Sequence, residues 1–150
     1  MVGSGKRIDA VKRAQAASST LRSAAEEHDI DWRFLAAIGV RETGFRNINQ
    51  KDGKGVGVFQ IDLGQNPSVT AAQASDPEWA ADWAAKRLAA NFARLAANHP
   101  NLDQAHLLQA TAASYNFGTG NITGNPNTID VGSAGNNYGS NIMNLMDCFE

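Results

Sequence analysis

Alanine is abundant in this sequence and β-branched residues are sparse over most of its length, a bias that commits the chain to helices. Capping residues mark where those helices begin and end. Asp31 suits the N-cap of a helix over 32–43, and Gly44 is a natural residue just past its end. Ser75-Asp76-Pro77-Glu78 joins a capping-box spacing to a proline in the first turn. A long helix over 78–97 should follow, with Trp79, Trp83, Leu88, Phe92 and Leu95 seeking burial, until His99-Pro100 ends it. Asp103 opens another helix that runs to about Ser114 or Tyr115. Residues 7–27 read as one helix with a thin stripe of Ile8, Val11, Leu21 and Ala25. A last helix over 138–149 has Tyr138, Ile142, Leu145, Met146 and Phe149 on one face.

One stretch departs from this pattern. Asp52-Gly53-Lys54-Gly55 reads as a turn, and Val56, Val58, Phe59 and Ile61 fit short extended segments. Residues 66–74 read as loop plus a short helix, and 116–140, rich in glycine and asparagine, as an ordered irregular surface segment. The expectation is a mainly α single domain over 7–150, with a small β-like excursion around 46–64. Residues 1–6, which include Gly3-Ser4-Gly5, read as a linker or an expression remnant.

Composition narrows the function. With 150 residues, 43% of them hydrophobic and 19% charged, the chain suits one folded domain rather than a disordered segment. No apolar run approaches the ~18 residues of a membrane span, so membrane insertion is not expected. A formal net charge of −2 argues against nucleic acid as a partner. The single cysteine, Cys148, excludes an internal disulfide and reads as a half-buried thiol. The N-terminus lacks the apolar core of a signal peptide, so any route of export is not visible.

Glu42 is the most informative residue. It stands at i, i+3 and i+7 with Leu35 and Ile38, on a helix face that should be buried. Burial, and the negative end of its own helix, both disfavour its charge and raise its pKa. A carboxyl that holds its proton near neutral pH suits a general acid. The competing reading is a buried glutamate paired with Arg33, Arg41 or Arg46. Asp52 and Asp62 sit in the glycine-rich excursion. If that segment folds over the end of the Glu42 helix, a carboxylate faces Glu42 across a cleft, the arrangement that hydrolyses glycosidic bonds. Asp52 taken alone reads more readily as a turn former, whereas Asp62, flanked by Ile61 and Leu63, is harder to dismiss as a solvated loop residue.

These residues carry a family resemblance. Glu42-Thr43-Gly44-Phe45, Gly55-Val56-Gly57-Val58-Phe59-Gln60-Ile61-Asp62 and Ala113-Ser114-Tyr115-Asn116-Phe117-Gly118-Thr119-Gly120-Asn121 resemble three ordered motifs of goose-type lysozymes and soluble lytic transglycosylases. Ile129-Asp130-Val131-Gly132 and Tyr138-Gly139-Ser140-Asn141-Ile142 resemble the goose-type branch in particular, and the likeness spans roughly 30–142. It implies a lysozyme-like fold, no cofactor or metal, and cleavage of the β-1,4 bond between N-acetylmuramic acid and N-acetylglucosamine in peptidoglycan. Glu42 matches the catalytic acid and Asp62 the aspartate that positions water for inversion. Asp52 matches the family's other aspartate if one loop residue is deleted.

Gln60, Tyr115, Asn116 and Tyr138 match substrate-groove positions, where aromatic rings and amides meet the apolar faces and hydroxyl rims of sugars. For the two tyrosines, ordinary helix-end packing is the competing reading. Phe117 departs from the small residue usual there, and the missing N-terminal extension and cystines point to a microbial or phage-like version. The resemblance further implies an extracellular or periplasmic site of action, glycan strands as the partner and a monomer. Alternatives are a lytic transglycosylase giving 1,6-anhydro ends, a chitinase on the same fold and a non-catalytic glycan-binding domain.

Other signals are weaker. His28, His99 and His106 lack metal-ligand spacing and read as surface or packing residues. Asn47, Asn49 and Asp52-Gly53 only hint at a calcium loop, because Phe59 stands where a glutamate is needed. Trp79 and Trp83, at i and i+4, read as core rather than as a carbohydrate platform.

Overall fold

The structure, a computed structural model, describes residues 4–49 and 54–150. Among them are seven α-helices and one two-stranded antiparallel sheet. The helices are α1 (Ser4–Ala16), α2 (Ser18–Glu27), α3 (Trp32–Thr43), α4 (Ala71–Ala74), α5 (Pro77–Asn98), α6 (Gln104–Phe117) and α7 (Tyr138–Met146). The strands β1 (Gly55–Val56) and β2 (Ile61–Asp62) pair Gly55 with Asp62 and Val56 with Ile61. The chain is therefore mainly α with a β excursion in its middle, as its composition predicts.

Helix α3 is the axis of the fold. Every residue from Phe34 to Val40 is buried, and α1, α2, α5 and α7 all pack against this helix. Its ends are fixed locally: the Asp31 carboxylate accepts from the Arg33 N–H, and Gly44 closes the helix in the left-handed region at φ 64°. The Arg13 guanidinium donates to the Gly44 carbonyl at 2.9 Å, tying α1 to the end of α3. Side chains from α1, α2, α3, α5 and α7 and from the β excursion form the main core. A second cluster, including Leu95, Leu102, Leu107, Ile122 and Ile129, lies beneath the segment after α6.

Several expected boundaries move. The single helix over 7–27 is two helices that break at Ala17, and α1 already begins at Ser4 inside the expected linker. The stripe of α1 runs through Ala10 and Ala14 rather than Ile8, which is 56% exposed. Small residues there let α1 lie close to α3. At α5 the N-cap is Asp76, not Ser75, and accepts from the Glu78 and Trp79 N–H groups. Val58 and Phe59 are buried in the turn between the strands, not in extended segments. The last helix stops at Met146, and Cys148 is exposed rather than half-buried.

The glycine- and asparagine-rich segment is ordered around one carboxylate. Asp130, 7% exposed, accepts from the Gly139 N–H at 2.7 Å, the Ser140 N–H at 2.9 Å and Gln109 Nε2 at 3.0 Å. It satisfies free donors in the first turn of α7 and adds a negative charge where the helix dipole favours one. Gly139 is required here, because a Cβ would run into the Gln109 carbonyl and the Asp130 carboxylate.

Candidate functional site

A groove of about 830 Å³ opens along the side of the helical core. Glu42 lines it, at the last turn of α3. One wall is the β excursion with Gln60 and Asp62, the other is α5 with Trp83 and Arg87, and Tyr115 and Asn116 come from the end of α6. Residues from four parts of the chain thus share one surface.

The periodicity places Glu42 as the sequence predicts. Leu35 and Ile38, on the same face, are fully buried, and Glu42 is the point at which that face reaches the groove. Burial pushes its carboxyl above the ordinary value; the Tyr138 hydroxyl and the Arg41 guanidinium oppose this only in part. No ion pair involves Glu42 among the described residues. Arg33 pairs with Asp31, while Arg41 donates to Asn141 Oδ1, Asn137 Oδ1 and the Ala134 carbonyl. The arginine-paired alternative is thereby removed.

The partner of Glu42 is Tyr138, whose hydroxyl donates to Oε2 at 2.5 Å. Tyr138 is only 1% exposed, and burial and the nearby Glu42 push its pKa well up, so it remains a neutral donor. Its expected role against substrate is corrected accordingly. The buried ring has no face for a ligand, and Tyr138 instead fixes the orientation of the acid. Arg41 stacks over the Tyr138 ring, 5.0 Å from its centroid, and ties that ring to the turn before α7. With Oε2 held by Tyr138, the other carboxyl oxygen is the one available to carry a proton into the groove.

Asp62 lines the same groove, but one of its oxygens is committed to the turn that follows. Oδ1 accepts from the Gly64 N–H at 2.9 Å and the Gln65 N–H at 3.1 Å. Its other oxygen is left to face solvent or a ligand. Asp52 lies outside the described residues. Gln60 has φ +50°, a conformation rare for non-glycine residues, and its Nε2 donates to the Ile48 and Gly57 carbonyls. Those bonds pin the turn between the strands, and Oε1 is left buried without a partner. Tyr115 donates to the Phe59 carbonyl at 2.7 Å, which ties α6 to the excursion. Asn116 accepts from the Ala134 N–H at 2.8 Å, yet it is exposed at the groove.

Arg87, Asn91 and Arg94 of α5 line the groove without being singled out in the sequence, and two residues kept out of the expected site also reach it. Trp83 is not core alone: it lines the groove, with Tyr115 edge-on at 6.5 Å and the Arg87 guanidinium over its ring at 4.9 Å. Phe117 also lines the groove, while packing against the second cluster. The i, i+4 spacing of Trp79 and Trp83 fixes a shared helix face, but not that this face emerges at a cleft.

One group has metal-ligand character. Glu27, His28 and Asp82 bring one ligand atom each within 4.8 Å of one another, a convergence that chain spacing does not reveal. His28 Nε2 and Asp82 Oδ1 already bond at 2.7 Å, joining α2 to α5, and none of the three lines the groove. Compared with known proteins, the sequence matches no family model and no curated protein.

Proposed function

We propose that this chain is a peptidoglycan hydrolase with a goose-type, lysozyme-like catalytic domain, acting outside the cytoplasm on the β-1,4 bond between N-acetylmuramic acid and N-acetylglucosamine. The observation that carries the reading is the partly buried carboxyl of Glu42, which has no ion pair among the described residues and is fixed by Tyr138 at the edge of an open groove. Burial raises the pKa of Glu42 and so favours its protonated form, and a general acid needs a proton to give at the leaving oxygen. In the hydrolytic route, Glu42 protonates the glycosidic oxygen as the bond to C1 breaks. Water adds to C1 from the opposite face and gives its proton to Asp62. Trp83, Tyr115 and Asn116 supply the aromatic surface and amide that a sugar would meet.

A second reading is favoured by one specific contact. Asp62 Oδ1 holds the turn at Gly64 and Gln65, so this carboxylate has a structural role whether or not it activates water. If it does not, the 6-hydroxyl of the muramic acid attacks C1 itself and leaves a 1,6-anhydro end. Mass spectrometry of products from purified peptidoglycan separates the routes. Reducing ends are expected; products lighter by one water would replace hydrolysis with transglycosylation. An absence of glycan cleavage would reject both.

A further inference from the structure

The α5 wall of the groove is cationic although the chain as a whole is slightly acidic. Trp83, Arg87, Ala90, Asn91 and Arg94 line it at i, i+4, i+7, i+8 and i+11, a single helix face. Arg87 donates to Asn66 Oδ1 at 3.0 Å and stacks on Trp83, so its guanidinium is held in place. Arg94 is exposed and has no hydrogen bond or ion pair among the described residues. Neither arginine has an ion pair among the described residues, where the ion pairs are His28–Asp82, Arg33–Asp31 and His106–Asp103. Of the groove's acids among the described residues, neither is ion-paired with them: Glu42 is hydrogen-bonded by Tyr138, and Asp62 Oδ1 accepts from its own turn on the opposite wall. Two guanidinium groups, without an ion pair among the described residues and two helical turns or roughly 10 Å apart along the axis, therefore face the groove.

Resting on the hydrolase reading above, we propose that Arg87 and Arg94 are specificity-determining residues that recognise carboxylates on the peptides borne by the glycan. A planar guanidinium matches a carboxylate with two parallel N–H donors, and a neutral polysaccharide offers no equivalent group. Peptide-substituted strands are thus taken in preference to peptide-free strands or chitooligosaccharides. Because both arginines are solvent-exposed, the preference weakens as salt screens the charge.

Binding to Glu42→Gln protein, which keeps both arginines, tests this without turnover. Three phosphate-free probes are compared: peptide-bearing glycan strands, the same strands stripped of peptide, and chitohexaose. The peptide-bearing probe should bind about tenfold more tightly at low salt, with the advantage shrinking at high salt. Adding Arg87→Gln and Arg94→Gln should abolish that advantage and change affinity for stripped strands less than about twofold. Arg94→Gln alone should remove part of it, and Arg94 makes no contact whose loss would disturb the fold. Equal affinity for bearing and stripped strands, or discrimination that survives both substitutions, would overturn the arginine assignment while leaving the hydrolase reading intact. Failure to bind any of the three glycans would reject the hydrolase reading and this proposal with it.

Discussion

Tyr138→Phe isolates the contact on which the candidate site depends. It removes one hydroxyl, 2.5 Å from Glu42 Oε2, and leaves the buried ring in place. The hydroxyl donates to the ionised carboxylate and therefore opposes the upward push of burial on Glu42. Hydrogen bonds to charged groups contribute about 1.5–3 kcal/mol, and one pKa unit corresponds to about 1.36 kcal/mol. Glu42 in the variant should accordingly titrate higher than in the wild type. For a general acid, activity is lost as pH rises through its pKa, so the alkaline limb of the rate profile should move to higher pH. The plateau rate should fall by about tenfold, because the carboxyl is no longer held in one orientation. Rates on a soluble glycan from acid to alkaline pH measure both effects. Tyr115→Phe is the control, since its hydroxyl bonds the Phe59 carbonyl instead of Glu42. An alkaline limb that stays put or moves toward acid in Tyr138→Phe would refute the reasoning.

Two further outcomes concern stability. Glu42 has a folded pKa raised above its ordinary 4.5, so the stability of the neutral form is fully present below that value and is lost as pH rises through the folded one. Glu42→Gln cannot ionise and should therefore melt higher than wild type at neutral and alkaline pH. Each unit of elevation corresponds to about 1.4 kcal/mol. The difference should vanish below about pH 4.5, and thermal melts that run parallel across pH would contradict the assignment. Asp130→Ala should lower stability by about 3 kcal/mol, because two α7 amides and the Gln109 side chain lose their acceptor in a buried site. Urea unfolding is the measurement, and a loss under about 0.5 kcal/mol would show that water replaces the carboxylate easily.

Local chemistry was readable where it is decided locally. Asp31, Asp103 and Gly44 mark helix ends because a short side-chain acceptor or a left-handed residue acts within one turn. Glu42 could be singled out because the heptad of α3 fixes its face relative to Leu35 and Ile38. The break at Ala17 had no such mark: alanine is the strongest helix former, and the chain turns there to bring α1 and α2 separately against α3. Tertiary contacts likewise decide Tyr138, which meets Glu42 across 96 positions, and Arg41, whose partners lie 93 to 100 residues away. Trp83 packs against the core as expected, but its place in the groove was not legible, because a helix face toward the core and one toward a cleft have the same spacing. Asp130 was legible only as part of a motif, and its work as the acceptor for α7 appears in the fold alone.

The central claim is that Glu42 delivers the proton that breaks a glycosidic bond. Its most direct test is turnover of purified peptidoglycan by Glu42→Gln, with circular dichroism to verify that the fold is retained. The side chain keeps its shape and its place beside Tyr138 but has no acidic proton to give. Turnover should fall by about 10²–10⁴. Folded Glu42→Gln protein that cleaves peptidoglycan within about twofold of the wild-type rate would contradict the account.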